Sequence, residues 1–349
     1  MDDNTEILTV ALTGLNATDN PGPGLGVIRA LREEYPKIRI IGLSYDSLEP
    51  GIYLHNWVDK TYQIPYPTAE VGLLLDRIKY IHDKENINII IPNFDSELYN
   101  FIKIAPELTG IGIQTFLPTH QQLEARDKAN LYKFGEMHGL NVPTDIIAYS
   151  AEDIKKAEEK FSYPMVVKGK YYDAYVAHTP DQAQKSFYYL SAQWGFPVII
   201  QQFIKGTEIN ISCLADGGGK AISIVCMRKL YITEKGKAWA GVTIDSEDLT
   251  ELAQKFARAT NWRGSFELEV MRDANEQLFI MEVNPRFPAW IYLTVAAGQN
   301  QPAMLIKLTQ KISLPPVPAP TTGKMFVRYA WDHIVDVSEF QQLTAFGEL

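Results

Sequence analysis

The chain has 349 residues, a formal net charge of −9, 46% hydrophobic residues and 21% charged residues. That length predicts two or three domains with an ample core, and the composition is that of an ordinary globular protein. The acidic balance excludes a general nucleic-acid binder, whose affinity for phosphates needs a basic face, but leaves room for a local basic pocket. Cys213 and Cys226 are the only cysteines; both sit in apolar runs without metal-ligand spacing and read as small buried hydrophobes. The start Met1-Asp2-Asp3-Asn4 is acidic and lacks a secretory pattern, and no apolar run is long enough for a bilayer. The expectation is a cytoplasmic enzyme with no membrane partner.

From Ile7 to about Pro118 strands and helices alternate. Strand Ile7–Thr13 precedes helix Gly24–Glu34, strand Ile38–Leu43, helix Ala69–Asn86, strand Ile87–Ile91, helix Ser96–Ala105 and a short strand Ile111–Thr115. This order predicts a parallel sheet flanked by helices. The turn Gly22-Pro23-Gly24-Leu25-Gly26 invites a dinucleotide reading but has the wrong spacing, and no acid clearly ends the second strand. It reads as a tight turn opening a helix, whose N-terminus could hold an anionic substrate. Asp95 and Glu97 follow a parallel strand at its C-terminal end, where ligands of open α/β sheets gather. They serve equally well as N-terminal helix acids, with Asp95 as the cap.

The middle part begins with Asp127-Lys128-Ala129 opening a helix, followed by strand Ile146–Tyr149 and helix Ala151–Phe161. A strand from Tyr163 then ends on Lys168, Ala174–Ala177 returns, and helix Pro180–Trp194 closes the unit. Strand Val198–Phe203 leads to Gly206–Leu214, Ala221–Met227 and helix Glu247–Thr260. The proline-rich stretch Ser313–Thr322 reads as an extended linker.

Two alternating apolar/acidic runs complete the core: Glu267-Leu268-Glu269-Val270 and Ile280-Met281-Glu282-Val283-Asn284-Pro285-Arg286. The turn-rich stretch Arg272–Gln277 joins them as a hairpin. Side chains alternate across a strand, so Glu267 shares a face with Glu269, and Glu282 with Asn284. If the faces coincide, three carboxylates and an amide oxygen converge, a cluster costly to bury without a cation and suited to Mg²⁺ held with phosphates. Arg286 adds a planar cation for an anionic group. The alternative is a salt-bridged surface hairpin.

Taken in this order, the motifs resemble the ATP-grasp superfamily of carboxylate ligases, in particular the branch near carbamoyl-phosphate synthase and biotin carboxylase. The resemblance implies an α/β and α+β architecture. A Rossmann-like pre-ATP-grasp domain (1–118) precedes a small lobe with phosphate-facing lysines (119–202) and a C-terminal lobe with the metal site (203–349). It implies that Lys128 and Lys168 approach the ATP phosphates, that the backbone of Gln201-Gln202-Phe203-Ile204 reads the adenine edge, and that Glu208 accepts from the ribose hydroxyls. It implies Glu269, Glu282 and Asn284 as ligands of Mg²⁺ (or Mn²⁺), with Glu267 as the alternative register. Arg286 would face the transferred phosphate, and Arg228 would be a second anion-binding arginine.

The implied reaction joins a small-molecule or peptide carboxylate to an amine through an acyl phosphate. Single-half members of the superfamily often pair as homodimers. One departure stands out: the turn Gly169-Lys170-Tyr171-Tyr172-Asp173 replaces the longer glycine-rich loop that usually folds over phosphates. It keeps open a nucleotide-binding module without ligase activity. After Arg286, the run Phe287-Pro288-Ala289-Trp290-Ile291 departs from biotin carboxylases, and its residues fit either an apolar acyl pocket or the core.

Overall fold

The computed structural model describes residues 7–16, 21–170, 173–233, 236–330 and 332–349. The chain opens with β1 (Thr9–Leu12), whose four side chains are all buried. Next come α1 (Gly24–Glu34), β2 (Arg39–Ser44), β3 (Lys60–Gln63), α2 (Val71–Glu85), β4 (Ile89–Ile91) and α3 (Leu98–Gly110). The strands form a parallel sheet in the order β3-β2-β1-β4. Strands buried on both faces read as continuous apolar runs, which is why Thr9–Leu12 and Ile89–Ile91 carry no alternation. The glycine turn is a close-approach device: a Cβ on Gly24 would lie 2.5 Å from the carbonyl oxygens of Thr13 and Gly14.

Then follow α4 (His120–Ala125), α5 (Leu131–His138), β5 (Asp145–Ala148), α6 (Asp153–Glu158), β6 (Met165–Lys168), β7 (Ala174–Ala177), α7 (Pro180–Trp194) and β8 (Val198–Gln202). The four strands make an antiparallel sheet in the order β5-β8-β6-β7. The C-terminal part holds β9 (Gly206–Asp216), β10 (Ala221–Ile232), β11 (Ala238–Ile244), α8 (Glu247–Thr260), β12 (Arg263–Asp273) and β13 (Leu278–Asn284). It ends with α9 (Tyr292–Ala296), α10 (Gln301–Thr309), β14 (Met325–Val327) and α11 (Val337–Phe346). A six-stranded sheet runs β13-β12-β9-β10-β11-β14.

The chain divides into two compact units. The first comprises Met1–His120, Ile211–Glu267 and Asn284–Leu349; the second comprises Gln121–Asn210 and Leu268–Val283. The first unit packs Val10, Leu12, Ile28, Ile40, Ile89, Phe287 and Ile291 into one apolar cluster. In the second, α6 and α7 cover one face of the antiparallel sheet, through Ile154, Ala157, Phe187 and Leu190 against Met165, Val167, Val198 and Ile200.

Several expectations are corrected. Ile111–Thr115 is no strand; a single parallel bridge, Ile89 with Gln114, is all that forms there. Gly112 turns the chain at φ +94°, a conformation that breaks an extended run. Lys128 lies in a turn before α5 and does not open a helix; the Asp127 carboxylate accepts from the Ala129 N–H at 2.9 Å, a local bond that competes with helix. Asp95 is no cap either, because Glu97 accepts the N–H groups of Asn93 and Phe94 at 2.7 and 2.9 Å. Strands β3 and β11 form where none was expected. Both cysteines are buried and unbridged. Among the described residues no helix is long and apolar enough to cross a membrane.

Candidate active site

Alternation along the second unit's sheet sorts its side chains into two faces. Ile146, Ala148, Met165, Val167, Val198 and Ile200 turn toward α6 and α7. Asp145, Val166, Lys168, Ile199 and Gln201 therefore share the opposite face, with Asp145 directly across from Gln201 and Gln201 across from Val166. Lys168 ends β6 on this face. Burial pulls its ammonium below the usual lysine range, Glu282 pulls the other way, Lys128 adds to the lowering, and Glu269 and Asp145 oppose it. Lys128 pairs with Glu282, Nζ to Oε1 at 3.3 Å. Two lysines and two carboxylates thus occupy one neighbourhood of the second unit.

Asp145 is 8% exposed and Gln201 4%. Asp145 Oδ2 and Gln201 Oε1 are both buried, and neither has a hydrogen-bond partner among the described residues. Burial raises the Asp145 carboxyl to about 6, against the lowering influence of Lys168 and Lys160. The backbone N–H of Gln202 donates to the Thr144 carbonyl at 2.9 Å, whereas Phe203 and Ile204 lie past the end of β8. Glu208 is half-buried on β9.

In the first unit the end of the metal motif is tied to the parallel sheet. Arg286 Nε donates to Asp95 Oδ1 at 2.9 Å, and its Nη1 lies 3.7 Å from Glu267 Oε2. Glu267 is buried and accepts from Trp290 Nε1 at 2.7 Å and from Asn284 Nδ2 at 3.1 Å. Asn284 thus spends its nitrogen on Glu267, the orientation in which an amide oxygen serves as a metal ligand. Arg228 is exposed on β10 opposite Val242.

Nearby, Glu97 is fully buried. Its carboxylate accepts from the Thr13 hydroxyl at 2.5 Å and from the Tyr45 hydroxyl, joining the C-terminal ends of β1, β2 and β4. Burial raises it to about 7, although those bonds and the Phe94 and Asn93 N–H groups act in the opposite direction.

The expected convergence of three carboxylates is corrected. Among the described residues no group of three or more His, Cys, Asp or Glu side chains is arranged to hold a metal. Trp290 donates to one oxygen of Glu267 and Asn284 to the other, so this carboxylate is engaged as a support. Asp145, a single acid before Ile146-Ile147-Ala148, carries no local signal in the sequence. Tyr171 and Tyr172 of the short turn lie outside the described residues; Gly169 N–H donates to the Asp173 carbonyl at 3.0 Å.

A parallel α/β sheet, an antiparallel lysine-bearing sheet and an acidic hairpin ending in Asn-Pro-Arg are the features in which the chain is similar to ATP-grasp proteins. Residues 196–331 match the family model described as "ATP-grasp in the biosynthetic pathway with Ter operon". The chain is 24% identical over 240 residues to the carbamoyl phosphate synthase arginine-specific large chain of Bacillus subtilis, covering 66% of this chain and 23% of that one. It is 29% identical over 147 residues to the D-alanine–D-alanine ligase of Xanthomonas axonopodis pv. citri, covering 39% of this chain and 46% of that one. In structure it is similar to Campylobacter jejuni biotin carboxylase in its β,γ-ATP complex, with a TM-score of 0.69 and 17% identity over 90% of this chain and 73% of that one. The last likeness is one of fold. The chain spans less than half the length of either curated relative. These relatives and structural neighbours are ATP-grasp ligases.

Proposed function

We propose that the protein is an ATP-dependent carboxylate–amine ligase that activates its acid as an acyl phosphate and releases ADP and phosphate. The observation that carries this reading is the cluster of Lys128 and Lys168 with Glu269 and Glu282 in one unit. Lysines beside carboxylates on a half-buried face suit a ligand that brings both negative phosphates and a divalent cation.

The residues fit MgATP on two counts. The carboxylate oxygens of Glu269 and Glu282 are hard donors of the type Mg²⁺ takes, and Asn284, two residues beyond Glu282 on β13, would add its amide oxygen. Of the two unmet acceptors, Gln201 Oε1 belongs to the segment proposed to meet adenine and Asp145 Oδ2 lies opposite it on β5. Mg²⁺ when bound neutralises phosphate charge and orients the phosphates.

Lys128 and Lys168 would balance the charge of the phosphates, and Arg286 would face the γ-phosphoryl group as a carboxylate oxygen attacks it. Gln201–Ile204 would hold the base, Glu208 the ribose and Arg228 a further anion. Positioning and electrostatics would supply most of the catalysis, with no covalent enzyme intermediate. An amine would then attack the acyl phosphate, forming an amide and expelling phosphate. In this reading residues 1–118 act as a Rossmann-like pre-ATP-grasp domain, residues 119–202 as the small lobe and 203–349 as the lobe bearing the metal ligands. A cytoplasmic homodimer is part of the same proposal.

The test is Mg²⁺-dependent ADP formation against a panel of carboxylates with and without amines. Turnover that requires both an acid and an amine supports the ligase. Tight MgATP binding without turnover on any pair would instead identify a nucleotide-binding module.

A further inference from the structure

Glu97, fully buried in the first unit, is an acid to which the phosphate chemistry gives no role. Its Oε1 accepts from the Thr13 hydroxyl and from the N–H groups of Asn93 and Phe94 at 2.7 and 2.9 Å. Its Oε2 accepts from the Tyr45 hydroxyl. Donors from just beyond the ends of β1, β2 and β4 therefore close on one carboxylate. Bonds to an ionised acceptor are roughly twice as strong as neutral ones, so this network holds best while Glu97 is charged.

The segment so held is the one that carries Asp95. The Asn93 N–H also lies 2.8 Å from the Thr13 hydroxyl, and its amide donates to the Thr13 and Ile91 carbonyls at 3.0 and 3.1 Å. The rings of Phe94 and Tyr45 pack with centroids 6.0 Å apart. Asp95 comes next in the chain, and its carboxylate meets Arg286 Nε at 2.9 Å. Two peptide units thus separate the anchored N–H of Asn93 from the residue that grips the arginine.

A proton on Glu97 places a hydrogen where donors already point. One hydroxyl must then turn away, or one N–H must lose its partner, and the loop before Asp95 loosens. Burial raises this carboxyl to about 7, against the lowering influence of its four bonds. Tyr45 faces it from the end of β2, and Glu49 accepts the Tyr45 N–H at 2.9 Å. Thr13, at the end of β1, is uncharged. On the loop itself Asp95 faces Arg286, whose Nη1 lies 3.7 Å from Glu267 Oε2.

We propose that Glu97 is a positioning residue for phosphoryl transfer: its ionised carboxylate fixes the loop Asn93–Asp95 and, through Asp95, aligns Arg286. This deepens the ligase reading and rests on it, since that reading sets Arg286 against the γ-phosphoryl group. A misplacement of about 1 Å at a reacting group can lower a rate about 100-fold, so a loosened loop is felt in turnover while ATP stays bound.

The experiment has a readout that needs no nucleotide. In the isotope-labelled full chain, the proton shift of the Arg286 Nε–H, assigned by its loss in Arg286→Lys, is followed from pH 6 to pH 8.5. It is expected to step near pH 7 in the unaltered protein. Tyr45→Phe keeps the ring and the Glu49 bond but removes one donor to the charged form, so the step should move up to about pH 8. Glu97→Gln should abolish the step and hold the signal at its parent position of pH 6. ADP formation from MgATP across the acid–amine panel should fall about 10-fold between pH 8 and pH 6 in the parent, with KM for MgATP within about twofold. Its midpoint should move with the signal in Tyr45→Phe.

No step in the parent signal, or one that stays in place in a folded Tyr45→Phe, would overturn the proposal and leave the ligase reading untouched. A signal that titrates as stated in a chain forming no ADP with any acid–amine pair would keep the tie between Glu97 and Arg286. It would overturn the ligase reading, and with it the part of Glu97 in the reaction.

Discussion

Arg286 Nε donates to Asp95 Oδ1 at 2.9 Å, so the arginine that closes the Asn-Pro-Arg motif is held by the C-terminal end of a parallel strand. The bond uses one edge of the guanidinium; Nη1 also donates to the Phe287 carbonyl at 3.1 Å. A guanidinium fixed in this way is preorganised for an anion at no cost in reorganisation during reaction. Asp95→Ala should therefore lower the rate of ADP formation about 10- to 100-fold, the worth of a charge-assisted hydrogen bond, while MgATP affinity stays within about twofold. Single-turnover kinetics and equilibrium binding separate the two; an unchanged rate would show that Asp95 does not position Arg286.

Trp290 carries the second support. Its indole N–H meets Glu267 Oε1 at 2.7 Å, and Glu267 is 4% exposed. Trp290→Phe keeps most of the apolar bulk and removes the donor, leaving a buried carboxylate oxygen short of a partner. The expected loss is about 1–3 kcal/mol of stability, read from urea unfolding as a lower midpoint with an unchanged slope. No change in midpoint would mean that Glu267 finds another donor.

Asp145 gives a pH-dependent prediction with a definite sign. Its carboxyl titrates near 6 in the folded chain, against a usual 3.8, because burial penalises the charged form. The folded state therefore holds this proton more tightly than the unfolded state does. Stability attributable to the group is full below about pH 4 and is lost as pH rises through 6. Without nucleotide, Asp145→Asn should be more stable than the parent at pH 7.5 by roughly 1–3 kcal/mol, and the gain should vanish toward pH 4. Thermal melts across that range test it; a gain independent of pH would contradict the assignment.

Much of the fold was legible because local chemistry and burial agreed. Helices Gly24–Glu34, Pro180–Trp194 and Glu247–Thr260 have the bounds read from the sequence. Pro180 follows Thr179, whose side chain accepts from the Gln182 N–H, and α8 buries Leu249, Leu252, Ala253, Phe256 and Ala257 at helical spacing. Strand β6 ends on Lys168 as expected. By contrast, β3 is a polar edge strand, Lys60-Thr61-Tyr62-Gln63, and β11 opens with Ala238-Trp239-Ala240-Gly241. Neither has the bulky alternation that marks a strand. The sheets recruit them through pairing with β2 and β10, information that no local window contains.

The candidate site divides in the same way. The acidic hairpin and the two lysines were legible as residue types in order. Their partners were not. Asp95 with Arg286 and Asp145 with Gln201 are contacts between segments remote in sequence, set by strand order. A neighbour's identity also decides which of two similar acids is taken up: Glu267 and Glu269 look alike in the chain, and Trp290 distinguishes them.

The most direct test of the central claim is Glu282→Gln. Glu282 pairs with Lys128 at 3.3 Å, and both side chains are partly exposed, so the substitution should cost under about 1 kcal/mol of stability. Mg²⁺-dependent ADP formation should nevertheless fall to background in a variant whose melting temperature is nearly unchanged. ADP release by Glu282→Gln at the parent's rate would contradict the assignment of this carboxylate to the MgATP site.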